Sequence, residues 1–184
     1  MNQLASSGQL RASLLRWSLV CVPLVVLLGF VSGKLGGSGP DNPWFAALQK
    51  PDIYPPPATS GVVWSLLYVM MGLALAMVCA ARGAAGRRIA IAAFVVQLAL
   101  NLAWTPLFFA LHEITRALYL LFVLDVAVLI TVVLFWRVRR GAALLLLPYL
   151  AWVCFATALN WQFLALNPDA DGMPTANAVT RVQF

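Results

Sequence analysis

Apolar residues run through this chain in five long blocks, at about 14–33, 61–81, 89–111, 117–136 and 142–166. Each block is close to the roughly 20 residues that an α-helix needs to cross a hydrocarbon core of about 30 Å. Lipid offers no hydrogen bonds, so a spanning segment must satisfy its own backbone, and continuous apolar blocks of this length predict helices. The pattern predicts an all-α integral membrane protein, a bundle of five transmembrane helices occupying residues 11–166. Residues 34–60, rich in Gly and Pro, form a long first loop that reads as a lid. Residues 1–10 and 167–184 carry no apolar period and read as disordered polar tails.

Inside the blocks, polar and aromatic positions fall on single helical faces. Gln97, Asn101, Trp104 and Phe108 follow at i, i+4, i+7 and i+11, so one face of the third span carries two amides and an indole. An unpartnered amide facing lipid costs several kcal/mol, so this face points inward, either as interhelical hydrogen-bond glue or as the wall of a ligand cavity. Trp64, Tyr68 and Met71 share a face of the second span that suits a ligand. Gly72, Ala76 and Ala80 form a small-residue series on another face, suited to a neighbouring helix. In the fifth span Trp152, Phe155, Ala156 and Leu159 make one stripe. Asp125 is the only ionisable residue deep in an apolar block; it is expected to be protonated or hydrogen-bonded, in a structural role or as a proton carrier.

The lid loop holds an apolar cluster, residues 44–48, predicted to form a short helix over the membrane surface, and 50-Lys-Pro-51 with 55-Pro-Pro-Pro-57 stiffen the descent into the second span. His112, in the turn after the third span, reads as a surface residue rather than a ligand. Arg11 and Arg16 before the first apolar block, with Ser32 and Gly33 after it, also fit a secretory leader, although the remaining pattern works better with this block retained as the first span.

Composition narrows the classes further. Of 184 residues, 62% are hydrophobic and only 10% charged, which excludes a soluble enzyme, and no separate soluble domain fits beside five spans. The pI near 9.8 does not indicate nucleic acid, because the twelve Lys and Arg residues are scattered among the loops. They act instead as topology signals. With the N-terminus in the cytoplasm, Arg11, Arg16, Arg82, Arg87, Arg88, Arg137, Arg139 and Arg140 lie inside, against Lys34, Lys50, Arg116 and Arg181 outside, which favours a cytoplasmic N-terminus and an external C-terminus. Cys21, Cys79 and Cys154 sit in apolar runs without metal-type spacing and read as packing residues; no metal site, phosphate loop or hydrolytic set is present.

The segments LQKPDIYPPPATSGVVWSLLYVMMG, QLALNLAWTPLFF and PYLAWVCFATALN, in this order and spacing, resemble the translocator protein family, also known as tryptophan-rich sensory proteins or peripheral-type benzodiazepine receptors. The resemblance covers residues 44–160. It implies a five-helix bundle, commonly a homodimer, that binds porphyrins, and in some members sterols and isoquinoline-type drugs, in a cavity under the first loop. Position by position it implies Trp64, Asn101, Trp104, Trp152 and Ala156 as cavity residues, with Tyr68, Gln97, Pro148, Tyr149 and Leu159 as supports. No obligatory cofactor is implied; the porphyrin is the ligand. A porphyrin is a flat π-system with two propionates, so it needs aromatic surfaces and a wet or cationic mouth, for which Lys50 on the lid is the expected cation.

Two departures stand out. Where the family loop reads KPxWxPPxW, this chain has Ile53 and Ala58 in place of the tryptophans. The sterol-recognition pattern at the end of the last helix reads Leu159, Trp161 and Ala165, without its tyrosine and basic residue, so a sterol is not expected as the main ligand. Three functions follow in order: a tetrapyrrole-binding receptor or sensory protein, a proton-coupled transporter using Asp125, and light-dependent porphyrin breakdown. The small-residue series Gly72/Ala76/Ala80 and Ala99/Ala103 serve either a homodimer or contacts within one bundle.

Overall fold

The structure is a computed structural model describing residues 7–39 and 41–173. Among these residues the chain is all-helical: α1 (Ser7–Leu35), α2 (Pro43–Ala47), α3 (Pro57–Ala80), α4 (Arg87–Thr105) extended by a π-helical turn (Pro106–Ala110), α5 (Ile114–Val138) and α6 (Arg140–Leu166), followed by a 3-10 turn (Pro168–Ala170). Five helices are long and apolar enough to cross a membrane: α1, α3, α4 with its π turn, α5 and α6. They overlap the five apolar blocks, with ends within about four residues except at α1, which begins seven residues before its block. The tails differ more. Residues 7–10 already belong to α1, and residues 167–173 form an ordered turn rather than tail; 1–6 and 174–184 lie outside the described residues.

Prolines decide several boundaries. Pro43 occupies the first turn of α2 behind Asn42, whose Oδ1 accepts the Phe45 N–H at 2.9 Å, and Pro57 opens α3 after the stiff Pro55 and Pro56. Pro106 lacks an N–H, and beyond it the ladder widens, with Leu111 N–H reaching the Pro106 carbonyl at 3.0 Å. The α5–α6 connection is a single extended residue, Arg139 (φ −158°), so these helices pack as an antiparallel pair.

The helices pack α1 on α3, α3 on α6, α6 on α5 and α5 on α4. One core of buried residues joins them, including Met71 and Val78 of α3, Phe94 of α4, Leu124 and Phe135 of α5, and Leu146 and Tyr149 of α6. Gly72 sits where α1 crosses α3: a Cβ there would lie 2.6 Å from Val22 Cα. The Gly72/Ala76 part of the small-residue series therefore serves contact within the bundle, as glycine-mediated helix approach does in membranes generally. Ala99 and Ala103, by contrast, are exposed on α4. A second cluster gathers under the lid, where Trp44, Phe45 and Leu48 meet Phe108, Ile114, Ala117 and Phe163.

Candidate functional site

The two clusters meet around a cavity of about 350 Å³. That size falls within the range of roughly 300–1,000 Å³ typical of small-molecule pockets. Its walls are built helix by helix. From α3 come Trp64 and Tyr68, one turn apart and stacked with centroids 5.4 Å apart. From α4 come Asn101 and Trp104, and the π turn adds Phe108 and Phe109. Along α6 the stripe Trp152, Phe155, Ala156 and Leu159 faces inward as the helical spacing requires, joined by Asn160 and Phe163. Leu121 and Leu124 of α5 contribute aliphatic surface, and Phe45 and Tyr54 cover the cavity from the lid. The exposed Ser38, Pro57 and Gly61 mark an opening between the end of α1 and the start of α3.

Hydrogen bonds fix the orientation of the polar groups. Tyr68 donates its hydroxyl to Asn101 Oδ1 at 3.0 Å, and Trp104 Nε1 donates to Asn160 Oδ1 at 3.2 Å. Asn160 Nδ2 in turn donates to the Ile114 carbonyl at 3.0 Å, tying the wall to the start of α5. Behind the wall, fully buried Tyr149 donates to Gln97 Oε1 at 2.8 Å, and Trp64 lies edge-on to the Tyr149 ring. Among the described residues that line the cavity none is charged. The cavity is thus an apolar, aromatic slot with a few oriented amide and phenol groups, suited to a flat ligand.

Trp64, Tyr68, Asn101, Trp104, Trp152, Ala156 and Leu159 all line this cavity, whereas Gln97 and Tyr149 stand behind it. Met71 shares the Trp64 and Tyr68 face but lies deeper, in the core. Lys50 is not on the wall. Its Nζ donates to the Phe45 carbonyl and, at 3.0 Å, to the Leu48 carbonyl, and sits 4.2 Å from the centroid of the Phe45 ring. Burial there pushes the Lys50 ammonium below its ordinary pKa. Asp125 is also off the wall, with its Oδ2 accepting the Thr157 hydroxyl at 2.8 Å between α5 and α6.

Phe45 and Tyr54 were not legible as site residues. The exposed Ile53 and Ala58, at the positions of the missing tryptophans, do not line the cavity, and these two lid aromatics do. The pairing that exposes them, Phe45 against Tyr54 at 5.8 Å and both against Phe163 of α6, depends on the path of the loop. His112 requires a correction. It is buried, 3% exposed, and stacked on Trp44 at 4.4 Å, because a backbone φ of 59° at the α4–α5 turn aims the ring inward.

The segment after α6 fastens the lid. Asn167 Oδ1 accepts Gln49 N–H at 2.7 Å while its Nδ2 donates to the Gln49 carbonyl at 3.0 Å, and Trp44 Nε1 donates to the Ala170 carbonyl. Asp171 caps α5 by accepting the Thr115 N–H at 3.0 Å and the Thr115 hydroxyl, and Gly172 N–H donates to the His112 carbonyl. These bonds hold α2 down on the second aromatic cluster.

A lidded five-helix bundle with tryptophans facing its cavity can be set beside known proteins. The tryptophan-rich protein TspO of Chlorobaculum tepidum is 35% identical over 150 residues, 81% of this chain and 94% of that protein. Protein CrtK of Rhodobacter capsulatus is 36% identical over 141 residues, covering 74% of this chain and 86% of that one. The translocator protein of Homo sapiens is 38% identical over 136 residues, 73% of this chain and 80% of its own length. Residues 21–166, from the middle of α1 to the last residue of α6, match the TspO/MBR family, and the chain belongs to it.

Proposed function

We propose that this protein is a membrane receptor or sensory protein for tetrapyrroles, holding a porphyrin-type ligand between the helices under the lid. The observation that carries this reading is the aromatic slot: Trp64, Trp104 and Trp152 on three different helices around one cavity, closed by Phe45 and Tyr54. Indole and phenyl faces stack on a macrocycle, while Asn101 and Asn160 supply oriented amides for its polar edge. The propionates stay at the opening by Ser38 and Pro57. There the start of α3, which has no side-chain cap, presents the positive end of a 24-residue helix dipole. Lys50 supports this arrangement by tying the lid's own carbonyls. Two copies pair through the exposed Ala99 and Ala103 face of α4, and the excess of arginine at the other end of the bundle from the lid supports a cytoplasmic N-terminus.

The test is a titration of the detergent-purified chain with protoporphyrin IX, following tryptophan fluorescence in the native chain and in Trp152→Phe. Saturable quenching at micromolar ligand, about −8 kcal/mol, that weakens in the variant supports the reading. Linear, unsaturable quenching in both proteins refutes it.

A second reading, proton-coupled transport through Asp125, is favoured by one observation: Asp125 Oδ1 is buried with no hydrogen-bond partner among the described residues, while Oδ2 is held by Thr157. A carboxylate so placed is a natural proton acceptor. Uptake into vesicles that depends on a pH gradient and disappears in Asp125→Asn would establish it.

A further inference from the structure

A second concavity, about 420 Å³, opens at the end of the bundle opposite the lid. Three separate segments converge on it, each bringing an arginine: Arg16 from α1, Arg82 just beyond the end of α3, and Arg139 in the α5–α6 link. Trp17 supplies an indole wall. Eight arginines lie at this end (residues 11, 16, 82, 87, 88, 137, 139 and 140), and none of the chain's six acidic residues does. Asp41, Asp52, Glu113, Asp169 and Asp171 are at the lid end, and Asp125 is within α5.

Such an excess orients any membrane protein, but convergence on a pocket is a different matter from scatter over loops. Among the described residues Arg16 is engaged through its Nε, on the Ala12 carbonyl within its own helix, and none of the three pocket arginines is in an ion pair. The negative end of α3, which would repel an anion, is quenched. Arg87 donates to the Val78 and Cys79 carbonyls at 3.1 and 2.9 Å, and Arg82 N–H takes the Ala80 carbonyl at 2.9 Å. Meanwhile α6, 27 residues long, begins at Arg140 with no side-chain cap, so the positive end of its dipole lies beside Arg139.

We infer that this pocket binds a phosphate-bearing anion, namely the headgroup of an anionic phospholipid in the leaflet bounding the arginine-rich end. The guanidinium groups of Arg16, Arg82 and Arg139 take the phosphodiester, for which their planar forks are suited. Trp17 packs at the headgroup level, where indoles accumulate. The exposed Val20 and Leu24 of α1, one and two turns beyond Arg16 on the same face, continue into the apolar span and offer a track for the acyl chain. A free phosphate would satisfy the arginines equally well but gains nothing from that track.

The test uses the purified full chain in detergent with phosphatidylglycerol or phosphatidylcholine at equal mole fraction, reading bound lipid by native mass spectrometry. Phosphatidylglycerol is expected to bind in preference by on the order of a hundredfold, since each of the three basic residues contributes roughly fivefold near a membrane surface. The R16Q/R82Q/R139Q variant loses that preference. The R11Q/R88Q/R137Q variant, which removes the same charge from the same end but outside the pocket, keeps it. Single R82Q, at an exposed position outside any helix, shows a partial loss even if the triple variant fails to fold. No preference in the native chain, or equal loss in both triple variants, overturns the assignment. Displacement of the lipid by millimolar inorganic phosphate would assign the pocket to a soluble anion and overturn the lipid.

Discussion

Gly29 lies on α1 against the ring of Tyr68, and replacing it by alanine tests how firmly the cavity wall is held. An added Cβ would contact Tyr68 Cε2 most closely and lie 2.5 Å from Cζ and 2.6 Å from Cδ2. Carbon atoms rest at about 3.5–4.0 Å, so the ring must retreat by roughly 1 Å. Its hydroxyl is now 3.0 Å from Asn101 Oδ1, and a shift of that size stretches the bond beyond useful length. The loss comprises about 0.5–1.5 kcal/mol for the hydrogen bond and a similar amount for the disturbed Trp64–Tyr68 stack. Together these predict a loss of stability of about 1–3 kcal/mol, and a weaker porphyrin site because the displaced Tyr68 ring no longer holds the Trp64 face of the wall.

Gly61 provides the control, because it lines the same cavity yet a Cβ there meets nothing within 4 Å. Protoporphyrin IX titration and thermal unfolding should therefore separate Gly29→Ala from Gly61→Ala, the second behaving like the native chain or slightly more stable. In a Tyr68→Ala background, where the ring is gone, Gly29→Ala should lose its effect, giving a coupling on the order of 1 kcal/mol in the double-mutant cycle. Equal affinities for Gly29→Ala and Gly61→Ala, or an undiminished effect in the Tyr68→Ala background, would refute the claim that Tyr68 is pinned between Gly29 and Asn101.

Asn167→Ala removes both hydrogen bonds to Gln49 and should loosen the lid by about 1–3 kcal/mol. Hydrogen exchange in residues 41–56 should accelerate at least several-fold, and unchanged exchange would show that the latch is not there. Lys50→Met leaves the cavity wall intact, so porphyrin affinity should stay within about twofold while the lid becomes more susceptible to protease, its two carbonyl contacts being lost; a tenfold loss of affinity would instead place the ammonium on the ligand. Asp125→Asn keeps an oxygen for the Thr157 hydroxyl and replaces a residue that is not itself on the cavity wall, so equilibrium porphyrin binding should be unaltered. Weakened binding in that variant would couple α5 to the cavity.

The helices themselves follow from the order of residues alone. A run of about 20 apolar residues has one low-energy state in lipid, and the 3.6-residue period then assigns faces, so Gln97, Asn101, Trp104 and Phe108 turn inward wherever their partners are. The stripe Trp152, Phe155, Ala156 and Leu159 was legible for the same reason. Period does not give depth along the shared face, which is why Met71 falls in the core while Trp64 and Tyr68, on the same face, reach the cavity. Charge type did not reveal engagement either: Lys50 reads as a free cation until the loop folds back and offers it two carbonyls. The lid is where tertiary structure decided most. Its glycines and prolines permit many paths, and only contacts between residues far apart in the chain select one. Among them are Trp44 with His112, Phe45 and Tyr54 with Phe163, and Asn167 with Gln49. Local pattern fixes which side of a helix is buried, because backbone geometry sets it, but it cannot fix what a loop without a period is folded against.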